Sequence, residues 1–281
     1  YKKHIMGDAS EEPMPLYIIP DRKVSLADVR EGMRNHYEGT ELSMTNDPGA
    51  GVYKVPYRWR PMTFKSEGRE YFNERAIATQ QTGFVLIAQM RSWLPDAVGG
   101  ILWFGVDDAN TAVLTPMYTS ITEIPECYRR GNGSMTEFSW TSAFWIHNWV
   151  ANMAYNRYEP MIRDIRPVQK ELEDSYVDLV KNTDAKALEL LKSSPAQATA
   201  YLTEVCGKVA NEATARWKKL GEYLLVKYMD GNVKKEKDGK FEENGYGQIV
   251  SPNFPGYSQE YYDQVAKSEE AKHLEVPKKD K

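Results

Sequence analysis

The sequence predicts an α+β fold, and three features carry that expectation. Residues 84–88 and 101–106 are apolar at nearly every position, as strands covered on both faces are. Turn chemistry flanks them, RSWLPDAVG between the two and DDAN after the second. Further on, Ala198, Leu202, Val205, Val209, Ala213, Trp217, Leu220, Leu224 and Tyr228 keep helical spacing over a long segment.

In chain order, residues 1–21 read as extended or irregular, with Glu11, Glu12, Pro13 and Pro15 among them. Ser25 then caps a helix whose Leu26, Val29, Met33 and Tyr37 share a face. Asp28 adds negative charge to its first turn, and Gly39 suits its end. Residues 45–60, rich in Gly, Pro, Asn and Tyr, predict a long ordered loop. Strands are expected at 75–79, 83–90, 100–106 and 111–117.

After a turn at 130–134 the chain becomes helical. Residues 138–158 place Phe144, His147, Ala151, Ala154 and Tyr158 on one stripe and Asn148, Asn152 and Asn156 on another. Pro160 closes that helix, and Asp164 caps the next, where Pro167 falls in the first turn. Ser194 and Pro195 open the third helix and Gly231 ends it. The remainder is polar and turn-rich, with one short helix at 259–268. This gives a β-rich portion at 1–125, a helical extension at 126–231 and an irregular tail at 232–281.

Hydrophobic content of 41% and charged content of 27% describe a folded chain, not a disordered one. A formal net charge of −4 argues against a nucleic-acid or anionic-membrane partner, and the basic clusters at 234–240 and 278–281 read as solvated loops. The apolar run 97–106 is about half a bilayer span and is interrupted by two glycines, so no membrane partner is expected. No secretory leader opens the sequence, and the compartment stays open between cytoplasmic and secreted or periplasmic. Two cysteines are too few for a disulfide framework and read as buried free thiols.

Candidate chemistry is sparse. Cys127 with His147 is a formal nucleophile pair, but His147 lies on an apolar stripe where a core histidine is the simpler reading. Four scattered histidines give no metal-ligand spacing, and no cofactor motif is present; Asp107, Asp108 and Asn110 read as turn chemistry between strands. Arg91 and Trp93 follow directly on an apolar strand. An arginine there can clamp a carboxylate in a bidentate fork while the indole covers an apolar side chain; the alternative is that Arg91 pairs with Asp96 and fixes its own loop. Gln80, Gln81 and Thr82 supply amide and hydroxyl groups at the other end of that strand.

Four long stretches add a resemblance. ERAIATQQTGFVLIAQMRSWLPDAVGGILWFGVDDANTAVLTPMY at 74–118, MRNHYEGTELSMT at 33–45, PYRWRPM at 56–62 and FSWTSAFWIHNWVANMAYNRY at 138–158 resemble the dipeptidase A-like cysteine dipeptidases, which are N-terminal-nucleophile hydrolases. The likeness covers residues 23–230. It implies part of an αββα sandwich of antiparallel strands, followed by a helical extension. It also implies hydrolysis of short peptides through an acyl-enzyme on a cysteine that begins the mature chain. Tyr1 stands at the start here, so the nucleophile is expected upstream and no catalytic residue in this chain. The implied partners are that upstream portion, a small peptide and further copies of the chain. Two alternatives accompany it: an amide hydrolase of the penicillin V acylase or bile-salt hydrolase type, and a non-catalytic structural half.

Geometry then selects a substrate end. Strands of six or seven residues at roughly 3.3 Å each set Arg91 and Asp107 about 20 Å apart, whereas a dipeptide spans about 7 Å. Arginine binds a carboxylate more specifically than turn aspartates bind an ammonium, so Arg91 and Trp93 are the expected substrate-binding residues.

Overall fold

The computed structural model describes residues 1–276 except 9, 11, 13, 60, 74, 251 and 252, so Glu11, Pro13 and the basic cluster at 278–281 lie outside the described residues. Helices α1 (Lys2–Ile5) and α2 (Leu26–Met33) come first, then a hairpin of β1 (Thr63–Ser66) and β2 (Arg69–Phe72). Strand β3 (Phe84–Met90), the single turn α3 (Asp96–Gly99), β4 (Gly100–Val106) and β5 (Thr115–Tyr118) form the central unit. Three long helices follow, α4 (Ala143–Asn156), α5 (Tyr158–Ser193) and α6 (Pro195–Lys227). A small hairpin of β6 (Glu236–Lys237) and β7 (Lys240–Phe241) and a last α-helix, α7 (Gln259–Lys267), complete the order. The fold is α+β with antiparallel strands.

Local chemistry accounts for the ends of most elements. Ser25 and Asp28 form a reciprocal capping box on α2. The helix stops at Met33, short of the expected Gly39, because tertiary partners claim the next residues. The Asn35 side chain accepts from Tyr37 N, and Glu38 accepts from His36 N while the His36 ring is drawn into the core. Residues 75–79 form no strand, and the strand expected at 111–117 is confined to β5. Helix α4 breaks at Arg157, not at Pro160; α5 starts at Tyr158, carries Pro160 in its first turn and holds Pro167 within. Helix α6 starts as expected, with the Ser194 hydroxyl accepting from Gln197 N and Pro195 at its first position, but it ends at Lys227, before the expected Gly231.

The central sheet has the order β3-β4-β5, with β3 at a free edge. Directly opposed residues share a face, so the register Val85↔Gly105, Ile87↔Trp103 and Ile101↔Tyr118 defines one side. Val85, Ile101, Trp103 and Tyr118 are buried there in the same apolar cluster as Ile146, Val150, Leu202, Trp217 and Leu224 from the helices. That cluster runs from Ala78 to Tyr228, so sheet and helices share one core.

The other side departs from the sequence expectation. Cover on both faces is expected for residues 84–88 and 101–106, yet Phe84 is 62% exposed and Met90 69% exposed, with Leu86 and Ala88 also in solvent. Across from them Leu102, Phe104 and Val106 are half-buried, with Tyr128 packed edge-on against Phe104. Among the described residues nothing covers the β3 half of this face. An apolar strand face left in water is a surface that normally has a partner.

Candidate functional site

The two ends of the β3–β4 hairpin differ sharply in how their polar groups are used. At the Arg91 end the guanidinium is closed on the protein itself. Its Nη1 and Nη2 donate to the two carboxylate oxygens of Asp184 on α5, and Nη2 and Nε also reach the carbonyls of Val98 and Gly99. The Tyr118 hydroxyl donates to Asp184 Oδ1 at 2.6 Å, and Arg91 is 8% exposed. The partner is thus Asp184, ninety-three positions along, and not Asp96 of its own loop. Trp93 is 76% exposed beside it. The structure keeps the two residues on one corner, but the fork is already filled.

At the opposite end, Asp107 follows β4 in left-handed backbone at φ 68°, a conformation that non-glycine residues seldom adopt and that Asn and Asp tolerate best. Its N–H donates to the Gly83 carbonyl at 2.9 Å, which closes the hairpin end. The side chain points inward and is 1% exposed. Asn148 on α4 donates to Oδ1 at 2.8 Å, while Oδ2 is buried with no hydrogen-bond partner among the described residues. Burial raises the Asp107 carboxyl to about 7 against the help of Asn148 and a backbone N–H, and Asp108 adds like charge. Burial of this kind favours the protonated carboxyl, and an orphaned oxygen is unfinished hydrogen bonding.

The asparagine stripe of α4 belongs to this end. Asn152 Nδ2 donates to the Asn148 side chain at 3.0 Å, and Gln80 Nε2 donates to Asn152 Oδ1 at 3.0 Å. The stripe therefore joins Asp107 to the loop before β3. Gln81 accepts from the Thr79 hydroxyl, and Thr82 donates to the Thr79 carbonyl, so both shape that loop.

The neighbouring Asp108 is satisfied in every direction. It accepts from the backbone N–H and hydroxyl of Thr111 and from the Tyr155 hydroxyl at 3.0 Å. Since the Tyr155 proton goes to Asp108, the Tyr155 oxygen accepts from His36 Nε2 at 3.1 Å. Asn110 Nδ2 then faces His36 Nδ1 at 3.1 Å. Farther along, Glu173 and Gln169 of α5 satisfy the buried backbone of Leu114, Ala112 and Asn110. Glu173 is also held by Arg34 at 2.8 Å. These groups fix the backdrop of the site; Asp107 Oδ2 and Arg34 Nε are without a hydrogen-bond partner among the described residues, and Asp107 is the carboxyl left incomplete.

Neither cysteine is placed for attack. Both are buried free thiols, and burial pushes Cys206 up to about 11 and raises Cys127 as well. His147 stacks on Trp217 at 5.0 Å and forms no hydrogen bond to Cys127. Among the described residues no group of three His, Cys, Asp or Glu converges on a point that could hold a metal, and no helix is long and apolar enough to cross a membrane.

Sequence reasoning reads Asp107 as ordinary turn chemistry. Two signals point further: a buried-strand end followed by two consecutive aspartates, and an asparagine stripe that needs a partner.

Comparison with known proteins defines the class. The pattern of Peptidase family C69 matches residues 1–171, more than half of the chain, and the chain belongs to that family. It is 26% identical over 233 residues to Probable dipeptidase B of Lactococcus lactis subsp. lactis (strain IL1403), covering 80% of this chain and 44% of that protein. Over 220 residues it is 27% identical to a Probable dipeptidase of Latilactobacillus sakei, covering 76% of this chain and 41% of that one. Dipeptidase A of Lactobacillus helveticus is 22% identical over 172 residues, 60% of this chain and 30% of that protein. The chain therefore spans less than half the length of these relatives.

Proposed function

We propose that this chain is the C-terminal portion of a cysteine dipeptidase of the N-terminal-nucleophile type, whose nucleophile lies in an upstream segment. In this reading the same segment lays a second sheet over the Phe84–Leu86–Met90 face and completes an αββα sandwich. The observation that carries it is that apolar face, exposed along the whole of β3 beside an unpaired strand edge. The relatives' names and greater length support the substrate class and the missing portion.

The chemistry is acyl transfer: a thiolate attacks the scissile carbonyl, the C-terminal amino acid leaves, and water releases the acyl group. This chain's contribution is walls and charge. The thiols of Cys127 and Cys206 are buried and hard to ionise, so neither supplies the nucleophile in this reading. Asp107 is closed to a ligand behind Asn148, so in this reading it sets the charge of that end of the hairpin, and the Asn148–Asn152–Gln80 chain faces the substrate's free α-amine. The Arg91–Trp93 corner is the competing substrate end, and it would require Asp184 to release the guanidinium.

The test is expression of the chain alone and together with an upstream segment that begins with cysteine. Dipeptide hydrolysis is expected only from the pair, and Cys→Ala at that terminus abolishes it. Hydrolysis by the chain alone that is lost in Cys127→Ala or Cys206→Ala overturns the proposal.

A further inference from the structure

A cationic cleft lies away from the Asp107 cluster, where the loop at 45–54 and the C-terminal segment close over the junction of α4 and α5. A cavity of about 540 Å³ is lined there by Tyr53, Lys54, Arg157, Tyr228, Phe254 and Tyr257, among others. It adjoins a second cavity of about 550 Å³ that shares Val52, Lys54 and Ser258 with it. Volumes of this size suit a small organic ligand. None of the residues lining either cavity takes part in the Asp107–Asn148–Asn152–Gln80 cluster.

The charge at the first cavity runs against that of the chain. Among the described residues Lys54, Arg157 and Arg163 line it against the single acid Glu159, in a chain of net charge −4. Glu159 is tied to Arg163 at 2.7 Å, which leaves Lys54 and Arg157 in excess. Arg157 gives Nη1 to the Tyr228 carbonyl, and no acceptor among the described residues meets its Nε or Nη2. Lys54 has no acid within ion-pair distance among the described residues and is held in left-handed backbone at φ 51°.

The walls are already in place. Glu159 N donates to the Tyr53 carbonyl at 3.0 Å, and Val233 N to the Asn253 carbonyl at 2.8 Å. Tyr53 and Tyr257 meet edge-on at 6.0 Å. Arg58 pins the loop by donating to the carbonyls of Met44, Val55 and Tyr57 and to Asp47. A preformed wall lowers the ordering cost of binding.

We propose that this cleft binds the carboxylate of a small aromatic acid, of which the free C-terminus of a peptide ending in an aromatic residue is the natural form. The carboxylate meets Arg157 and Lys54, and the ring lies against Tyr53, Phe254 and Tyr257. Arginine matches a carboxylate with two parallel N–H bonds, and the aromatic wall favours a ring-bearing acid over a bare oxyanion. The assignment is independent of the hydrolase reading, because binding requires no nucleophile and is measured without turnover.

The experiment titrates the chain, kept dilute, with N-acetylphenylalanine and, separately, with its amide, following the excess ligand by NMR. The acid is expected to bind at least about tenfold more tightly than the amide, a difference of one charged contact pair. Its affinity should fall as salt rises. Lys54→Gln and Arg157→Gln should each weaken the acid several-fold and leave the amide unchanged. Lys54 is exposed and has no ion-pair partner among the described residues, so its variant keeps the test valid should Arg157→Gln disturb the helix junction. Equal binding of acid and amide, an unchanged affinity in Lys54→Gln, or displacement of the acid by equimolar inorganic phosphate would each overturn the assignment.

Discussion

Asn148 donates to one oxygen of Asp107 at 2.8 Å and leaves the other buried and unpaired among the described residues. The carboxyl is therefore better accommodated with a proton than without one. Its folded value near 7 exceeds the ordinary 3.8, so its contribution to stability is fully present below about pH 4 and is lost as pH rises through 7. Asp107→Asn keeps a residue type that tolerates the left-handed backbone and removes the charge. Thermal unfolding should show this variant more stable than wild type at pH 8 by about 1–3 kcal/mol, with the advantage vanishing toward pH 4. In the dipeptidase proposed above, the same variant should lower kcat/KM by roughly threefold to tenfold, because the buried group acts through Asn148 and not by touching substrate. Unchanged kinetics would place the substrate elsewhere.

His147 predicts the opposite slope. Burial against Trp217 depresses it to about 3, so the unfolded chain takes up a proton near pH 6.5 that the folded chain refuses. Stability should fall as pH drops from 6.5 toward 3, by up to about 1.4 kcal/mol per unit from this group. His147→Phe keeps a ring on Trp217 and should flatten that part of the acid limb. An acid limb identical to wild type would show that other groups govern it.

The Arg91–Asp184 pair separates structure from recognition. Arg91→Lys keeps the charge but loses the fork, and the buried pair should weaken by about 2–4 kcal/mol in chemical denaturation. If the corner only braces α5 against the sheet, KM and kcat of the dipeptidase proposed above stay put at temperatures where the variant is folded. A raised KM that persists there, and that Trp93→Ala reproduces, would instead make this corner the substrate end.

Gly221 tests the packing of α4 on α6. A Cβ added there would overlap the Trp149 ring. Helix propensity alone favours alanine by about 1 kcal/mol, but overpacking costs about 1–3 kcal/mol. Gly221→Ala should therefore destabilise the chain despite improving the helix. A higher melting temperature would mean the ring moves aside freely.

What could be read from the sequence was what neighbouring residues decide. The Ser25 cap with its first-turn Asp28, the Ser194–Pro195 start and the α6 stripe from Ala198 to Leu224 depend on spacing within a few turns, and the structure has them. The early end of α2 depends on His36 reaching Tyr155, which lies well over a hundred residues away. The β1–β2 hairpin leaves no trace in the apolar pattern because its strands are exposed on both faces; its turn is made by Glu67 and Gly68, both at positive φ. Arg91 was legible as a clamp but not as one closed on Asp184, because nothing local links residue 91 to α5. The roles of Asp107 and Asn148 were hidden for the same reason: each reads as ordinary until the other is beside it.

The open edge of β3 also imposes a race. An edge strand with unpaired N–H and C=O groups, carrying Phe84, Leu86 and Met90 in water, is a template that a second β3 can extend. That side reaction speeds up with concentration, whereas capture by a segment on the same polypeptide does not. Tethering the covering layer would thus protect the chain kinetically as well as complete it. Made alone and concentrated, the chain is expected to pass into β-rich aggregates seeded at residues 84–90, and Leu86→Lys should delay their onset.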